Sequence, residues 1–168
     1  MPFTPLHMGP GLLFKALSQG SFSLMVFGWA QILMDIQPLL VMAGGGGQLH
    51  GFSHTLIGAS LIGGAAIISG KYLGQLGLRL LGLGSACPIR WTVAVTSGLL
   101  GSYSHVLLDA LMHADVELFF PLSDARPLLG LVSYGRLELF CGLTGALGAL
   151  AYLTVIKRRH RQLKPPLC

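Results

Sequence analysis

The chain has 168 residues, of which 52% are hydrophobic and only 10% charged, with 24 glycines and a formal net charge of +5. Soluble domains carry ~25% charged residues, so this composition excludes an ordinary water-soluble domain. Glycines lodged inside apolar runs exclude a disordered linker as well. Five of the eleven basic residues gather in Lys157, Arg158, Arg159, Arg161 and Lys164 with no aromatic residue between them, which excludes a nucleic-acid surface.

The expected architecture is an all-α integral membrane bundle of about four transmembrane helices, with a short N-terminal re-entrant helix and an interfacial amphipathic helix. Pro5 and Pro10 open a helix over 8–18 that closes near Gly20; at about 11 residues it is too short to span and is read as half-inserted. The first span is 22–43, interrupted by Asp35 and kinked or ended by Pro38. Gly44 to Gly47 form a loop, and no Gly-Lys-Ser/Thr follows to make it a phosphate loop. A second span covers roughly 52–70. Lys71 to Gly84 follows as the interfacial helix, with Lys71, Gln75 and Arg79 recurring every four residues. The third span is 91–112 and the fourth 137–156, joined by a loop over 113–136 that carries Pro121 and Pro127. Pairs at small-xxx-small spacing, Ala59/Gly63 and Gly142/Ala146, are expected to let helices approach closely.

Residues 1–156 therefore read as one membrane-embedded domain and 157–168 as a basic cytoplasmic tail. Lys71, Arg79 and Arg90 place the 71–90 connection on the same cytoplasmic side as the tail, with the 44–51 and 113–136 loops outside. The N-terminus has no convincing signal-peptide form. Cys87, Cys141 and Cys168 have neither metal-binding nor disulfide spacing, and Cys141 reads as a small apolar residue of a helix.

Ionisable residues inside these apolar segments carry the functional signal. His105, Asp109 and His113 recur at i, i+4 and i+8, so one helix face projects three potential ligands. Counting residues from the turns at 18–21 and 70–91 brings His7 level with Asp35, and His54 level with His105. With His50 the set is His7, Asp35, His50, His54, His105, Asp109 and His113. Imidazole with carboxylate suits zinc, and also iron, manganese or nickel. Seven groups exceed the need of one ion, and two ions bridged by Asp109 would use them economically. Other roles stay open: a hydrogen-bonded interfacial residue for His7, His50 or His113, a helix-end or Gln37-linked structural residue for Asp35, and a capping cluster around Ser53 beside His54. Asp115, Glu117 and Asp124 read as a solvated loop face, with Asp115 close enough to join a shell, and His160 as part of the tail.

The segments FTPLH at the start, LMDIQP at 33–38, HGFSHT at 50–55 and SHVLLD at 104–109 resemble the YdjM-type family of inner-membrane, metal-dependent hydrolases. Over about residues 1–125 the order and spacing of that family's His and Asp elements are kept, and Asp35, His54, His105 and Asp109, with His7, match its pattern. The sequence departs from it at Gln37, where the family has a second Asp, at Met34 in place of Pro, and at Leu49, which holds the place of the family's first His while His50 lies one position on. The resemblance implies a helical hydrolase of the bacterial inner membrane.

The function expected is hydrolysis by metal-activated water, with one or two divalent ions, most suitably zinc, held near the outer face. His54, His105 and Asp109 are expected as ligands and Asp35 as ligand or general base, with Asp35 and Asp109 as the catalytic pair. His7 and His113 complete the shell. A small-molecule, lipid-linked or phosphoester substrate is expected, because the site opens where lipid head groups lie. Two rivals share the same residues: a divalent-metal or proton transporter, and a membrane protein whose metal only staples helices.

Overall fold

A computed structural model describes the backbone of residues 5–163 and the side chains of residues 6–155. Residue 164 onward and the side chains of the basic cluster at 157–161, the greater part of the expected cytoplasmic tail, lie outside the described residues. Five α-helices and several single turns account for the ordered elements, and there is no strand among the described residues: α1 (Met8–Ser18), α2 (Leu24–Leu40), α3 (Leu56–Leu80), α4 (Trp91–Met112) and α5 (Tyr134–Leu163). Three segments are long and apolar enough to cross a membrane: Leu24–Gly45, Leu56–Leu80 and Tyr134–Val155. The protein is therefore a helical membrane protein in its length and composition.

Local chemistry sets the helix ends. Pro10 sits in the first turn of α1, where its missing N–H costs nothing. At the other end Lys15 Nζ donates to the carbonyls of Gln19 and Phe22, 2.6 Å each, and ties down the reversal into α2. Ser23 Oγ accepts from Val26 N at the start of α2, and Thr55 Oγ1 accepts from Gly58 N, 2.9 Å, at the start of α3. Pro38 does not end α2, because it lies within the last turn; the helix runs to Leu40 and widens into a π turn over Val41–Gly45. Gly44, with φ of 98°, then turns the chain out of the helix.

The expected separate interfacial helix over 71–84 is not formed. Residues 71–80 continue α3 without a break, because no proline or left-handed residue interrupts it. Gly70 and Gly74 instead give α3 a flat face against Trp29, Val26 and Met25 of α2. The Lys71 ammonium lies over the rings of Tyr72 and Trp91, 5.1 and 4.9 Å from the centroids.

Helix α4 is the centre of the bundle and packs on both α2 and α3. Small residues make the approach close: a Cβ on Gly101 would stand 2.8 Å from Phe27 O, and one on Gly63 2.6 Å from Ser102 Oγ. The Ala59/Gly63 pair is thus an interface as expected. The Gly142/Ala146 pair is not, since a Cβ on Gly142 would meet nothing within 4 Å. The buried stripe of α5 lies one residue away, at Cys141, Thr144 and Gly148, a rotation of about 100° around the helix. Against that stripe lies α1, which takes α5 as its main partner.

Candidate metal centre

All seven candidate side chains meet at one end of the bundle. His7 comes from the single turn Pro5–His7 that leads into α1, and Asp35 from the body of α2. His54 closes the turn Phe52–His54 before α3, with His50 four residues earlier. His105 and Asp109 lie on the inner face of α4. His113 does not continue that face as the i, i+8 spacing implies. The helix ends at Met112, and His113 takes extended backbone angles (φ −107°, ψ 123°), reaching back toward the site from the cap.

Asp109 is the hub. Its Oδ2 lies 3.1 Å from His54 Nε2 and 3.1 Å from His105 Nε2, while its Oδ1 lies 3.8 Å from His7 Nε2 and 3.9 Å from His113 Nε2. Asp35 Oδ1 is 3.4 Å from the same His105 Nε2. Ligands held ~2.0–2.1 Å from a tetrahedral ion stand roughly 3.3 Å from one another, so the 3.1 and 3.4 Å separations are compatible with a common ion. Four sets of three place one ligand atom each within 4.8 Å of one another: His7/His105/Asp109, Asp35/His54/His105, His50/His54/Asp109 and His50/His113/Asp115.

Hydrogen bonding around His105 decides which ring nitrogen faces the cluster with a lone pair. Gln31 Nε2 faces the carbonyl of Gly101 (3.2 Å) and Ser104 Oγ (3.3 Å), and Ser104 spends its own hydroxyl hydrogen on Gly101 O. A carbonyl only accepts, so the Gln31 amide must point its nitrogen there and its oxygen at His105. Gln31 Oε1 therefore accepts from His105 Nδ1 at 2.6 Å. That leaves Nε2 to the cluster, buried and without a hydrogen-bond partner, as are His54 Nε2 and His7 Nδ1. His54 Nδ1 lies 2.8 Å from Ser53 Oγ. Such outer hydrogen bonds orient imidazole ligands toward metal. The lone pair of His105 Nε2 repels the neighbouring carboxylate oxygen unless a proton or a metal ion lies between, and buried polar atoms left unpaired are uncommon in folded proteins.

Burial favours the neutral imidazole at three of the histidines. Burial pushes His7, His54 and His113 below the ordinary histidine range, against the opposite pull of Asp109. Apolar walls close both sides: Met34, Ala59, Val106, Ala110, Val116 and Leu118 on one, Leu108, Leu137 and Cys141 on the other.

Two polar residues central to this arrangement carried a weak signal in the sequence. Gln31 lies four residues before Asp35, hence on the same face of α2, and that spacing was the sign of its role. Asp115, read as part of a solvated loop face, instead accepts from His50 Nδ1 at 2.9 and 3.0 Å and from His50 N at 3.2 Å. Burial raises the Asp115 carboxyl, but the hydrogen bond from His50 outweighs this and holds it below the usual carboxylate range. Glu117 does behave as loop surface, paired with Arg126 at 2.8 Å. Asp35 is no helix-end residue, and Gln37 is not its partner: Gln37 Oε1 accepts from Ser53 N at 3.0 Å. The cap of α3 is Thr55, which leaves Ser53 free to meet His54.

No protein-family model matches the chain, and no curated protein and no solved structure matches it.

Proposed function

We propose that the protein is a membrane-bound, metal-dependent hydrolase of the YdjM type, with a divalent ion, zinc by its donor set, held among His7, Asp35, His54, His105 and Asp109. One observation carries this reading. Two buried, unpartnered imidazole nitrogens, His54 Nε2 and His105 Nε2, both stand 3.1 Å from the same oxygen of Asp109. The hydrogen bond to Gln31 keeps the His105 lone pair in place, and a cation is a group that satisfies all three atoms at once.

Bound there, a divalent ion supplies Lewis acidity and a polarised water for hydrolysis. The chain supplies the rest. Gln31 fixes the His105 ring, Asp35 is positioned beside the ligands to take a proton, and the apolar walls keep bulk water out. A lipid-linked ester or phosphoester is the substrate class we favour. An apolar cleft of about 340 Å³, lined by Leu33, Ile36, Leu40, Ile62 and Ala65 with Gln37 and Ser53 at its polar side, reaches from the lipid-facing side of α2 and α3 to the Ser53–His54 pair. In our reading α4 is the fourth span, the membrane is a bacterial inner membrane, and the site faces outward with the C-terminus in the cytoplasm.

Transport is less well supported, because it needs a polar path continuing through the bundle. Among the described residues, the buried hydroxyls beyond Gln31 are already bonded to backbone: Ser97 Oγ accepts from Ser23 N and Ser102 Oγ donates to Leu99 O. The deciding experiment assays purified protein against a panel of lipid esters and phosphoesters, and assays metal uptake in proteoliposomes, for the wild type and Asp109→Asn. Hydrolysis abolished by Asp109→Asn is expected. Metal uptake without hydrolysis would overturn the enzyme reading.

A further inference from the structure

We propose that the rim of the buried cluster carries a second, exchangeable divalent-cation site formed by His50, His113 and Asp115. The proposal rests on the reading of the inner cluster as a metal centre in one respect: the inner ligands are then already engaged, and these three remain.

Each of the three offers a ligand atom within 4.8 Å of the others. The Asp115 oxygens stand 2.9 and 3.0 Å from His50 Nδ1, a separation that two adjacent ligands of one ion adopt as readily as a hydrogen-bonded pair. The His50 and His113 rings stack face to face, 23° apart with centroids at 4.4 Å, with the carboxylate of Asp115 at the edge of the His50 ring. An ion in this place takes the position of the Nδ1 hydrogen of His50, which leaves to solvent as a proton.

The rim differs from the inner cluster in its exposure. The Asp115 and His113 side chains are 45% and 18% exposed, whereas those of His54, His105 and Asp109 are 0%, 1% and 5%. An ion at the rim meets water and exchanges; one in the inner cluster is enclosed.

The rim residues are also held in place on both sides. His113 N donates to Asp109 O at 2.7 Å at the end of α4. Beyond Asp115, Val116 and Leu118 are buried in the apolar cluster, and Leu56 N donates to Leu118 O at 2.9 Å. Asp115 is thus presented from an anchored segment, and no large movement is needed to bring three ligands to one ion. An ion there joins the end of α4 to the turn before α3, directly over the buried ligands.

The test is zinc titration of the detergent-purified full chain after dialysis against a weak chelator, with tightly retained metal counted separately by elemental analysis. The wild type is expected to retain its inner ion and take up one further equivalent of Zn²⁺. In Asp115→Asn and in His113→Gln that further equivalent should bind at least about tenfold more weakly, as loss of a ligand or its partner costs, while the retained ion stays. Full uptake of the further equivalent by the Asp115→Asn/His113→Gln double variant overturns the proposal, as does a wild type that takes up none. His105→Ala separates the two readings. A variant that still binds one exchangeable ion, lost on adding Asp115→Asn, keeps the rim site even if no inner ion is ever found.

Discussion

His105 and Gln31 face one another across the contact of α2 with α4, with 2.6 Å between the imidazole Nδ1 and the amide oxygen. The pairing matters because it assigns a hydrogen to one ring nitrogen and a lone pair to the other. Gln31→Leu is expected to lower metal affinity by about 10–100-fold. It should also destabilise the protein by ~1–3 kcal/mol, since His105 Nδ1 is left buried and unpaired. Gln31→Glu, which keeps the acceptor, should retain the metal. Competition against a chelator of known affinity measures both, and equal retention by the Leu and Glu variants would argue against orientation through Gln31.

The hub position of Asp109 leads to a second expectation. Protein purified without chelators should carry at least one tightly retained transition-metal ion per chain, and the His105→Ala/Asp109→Ala double variant should not retain it. Because the ion binds only the folded site, its removal from the wild type should lower the unfolding temperature, an effect absent from the double variant. Elemental analysis and thermal unfolding of the same samples decide the point. A wild type free of metal at neutral pH defeats the reading.

Packing of α1 on α5 predicts a sharp contrast between neighbouring glycines. A Cβ on Gly9 would lie 1.9 Å from Cys141 O and one on Gly148 2.3 Å from Leu13 N, both backbone atoms that cannot step aside. Gly9→Ala and Gly148→Ala should therefore each cost ~1–3 kcal/mol. Gly142→Ala, which meets nothing within 4 Å, should be neutral or stabilising by ~0.5–1 kcal/mol. Thermal unfolding in detergent orders the three. Stability loss at Gly142 equal to that at Gly9 would remove the proposed crossing.

Topology supplies a fourth expectation. In a background lacking the native cysteines, Gln48→Cys in the exposed loop before α3 should react with a membrane-impermeant thiol reagent in intact cells. Lys164→Cys should react only after the cells are opened. The basis is the cluster of basic residues from 157 to 164, at the C-terminal end of α5, and the absence of Lys and Arg from 44–51. The reverse labelling pattern would turn the protein over.

The sequence made α4 legible to the residue, 91–112, because an apolar run of spanning length ended where polar residues resumed. His7, Asp35, His54, His105 and Asp109 stood out for a related reason: a charge inside an apolar helix needs a partner, and helical counting put these at one height. What escaped were relationships that depend on rotation and on distant loops. The stripe of α5 that packs, Cys141 and Gly148, differs from the one that looked right, Gly142 and Ala146, by about 100° of rotation, and with Gly145 and Ala149 also small, small-residue spacing does not choose between the faces. The join between α3 and its basic end was misread because Lys71, Gln75 and Arg79 fit an interfacial helix and the exposed end of a long one equally well. The pairing of Asp115 with His50 spans 65 residues, and nothing local to either distinguishes that carboxylate from its neighbours Glu117 and Asp124.

The backbone contact between Gly9 and Cys141 also bears on how the protein is made. His7 sits two residues before Gly9, and α1 rests mainly on α5, which is synthesised after every other described helix. The earliest of the candidate ligands is therefore seated by the latest of the described helices, although α5 brings none of the seven candidate ligands. Nascent chains halted before residue 134 would carry all seven candidate side chains but lack the helix that seats His7, so the centre as proposed would be complete only once α5 is in place.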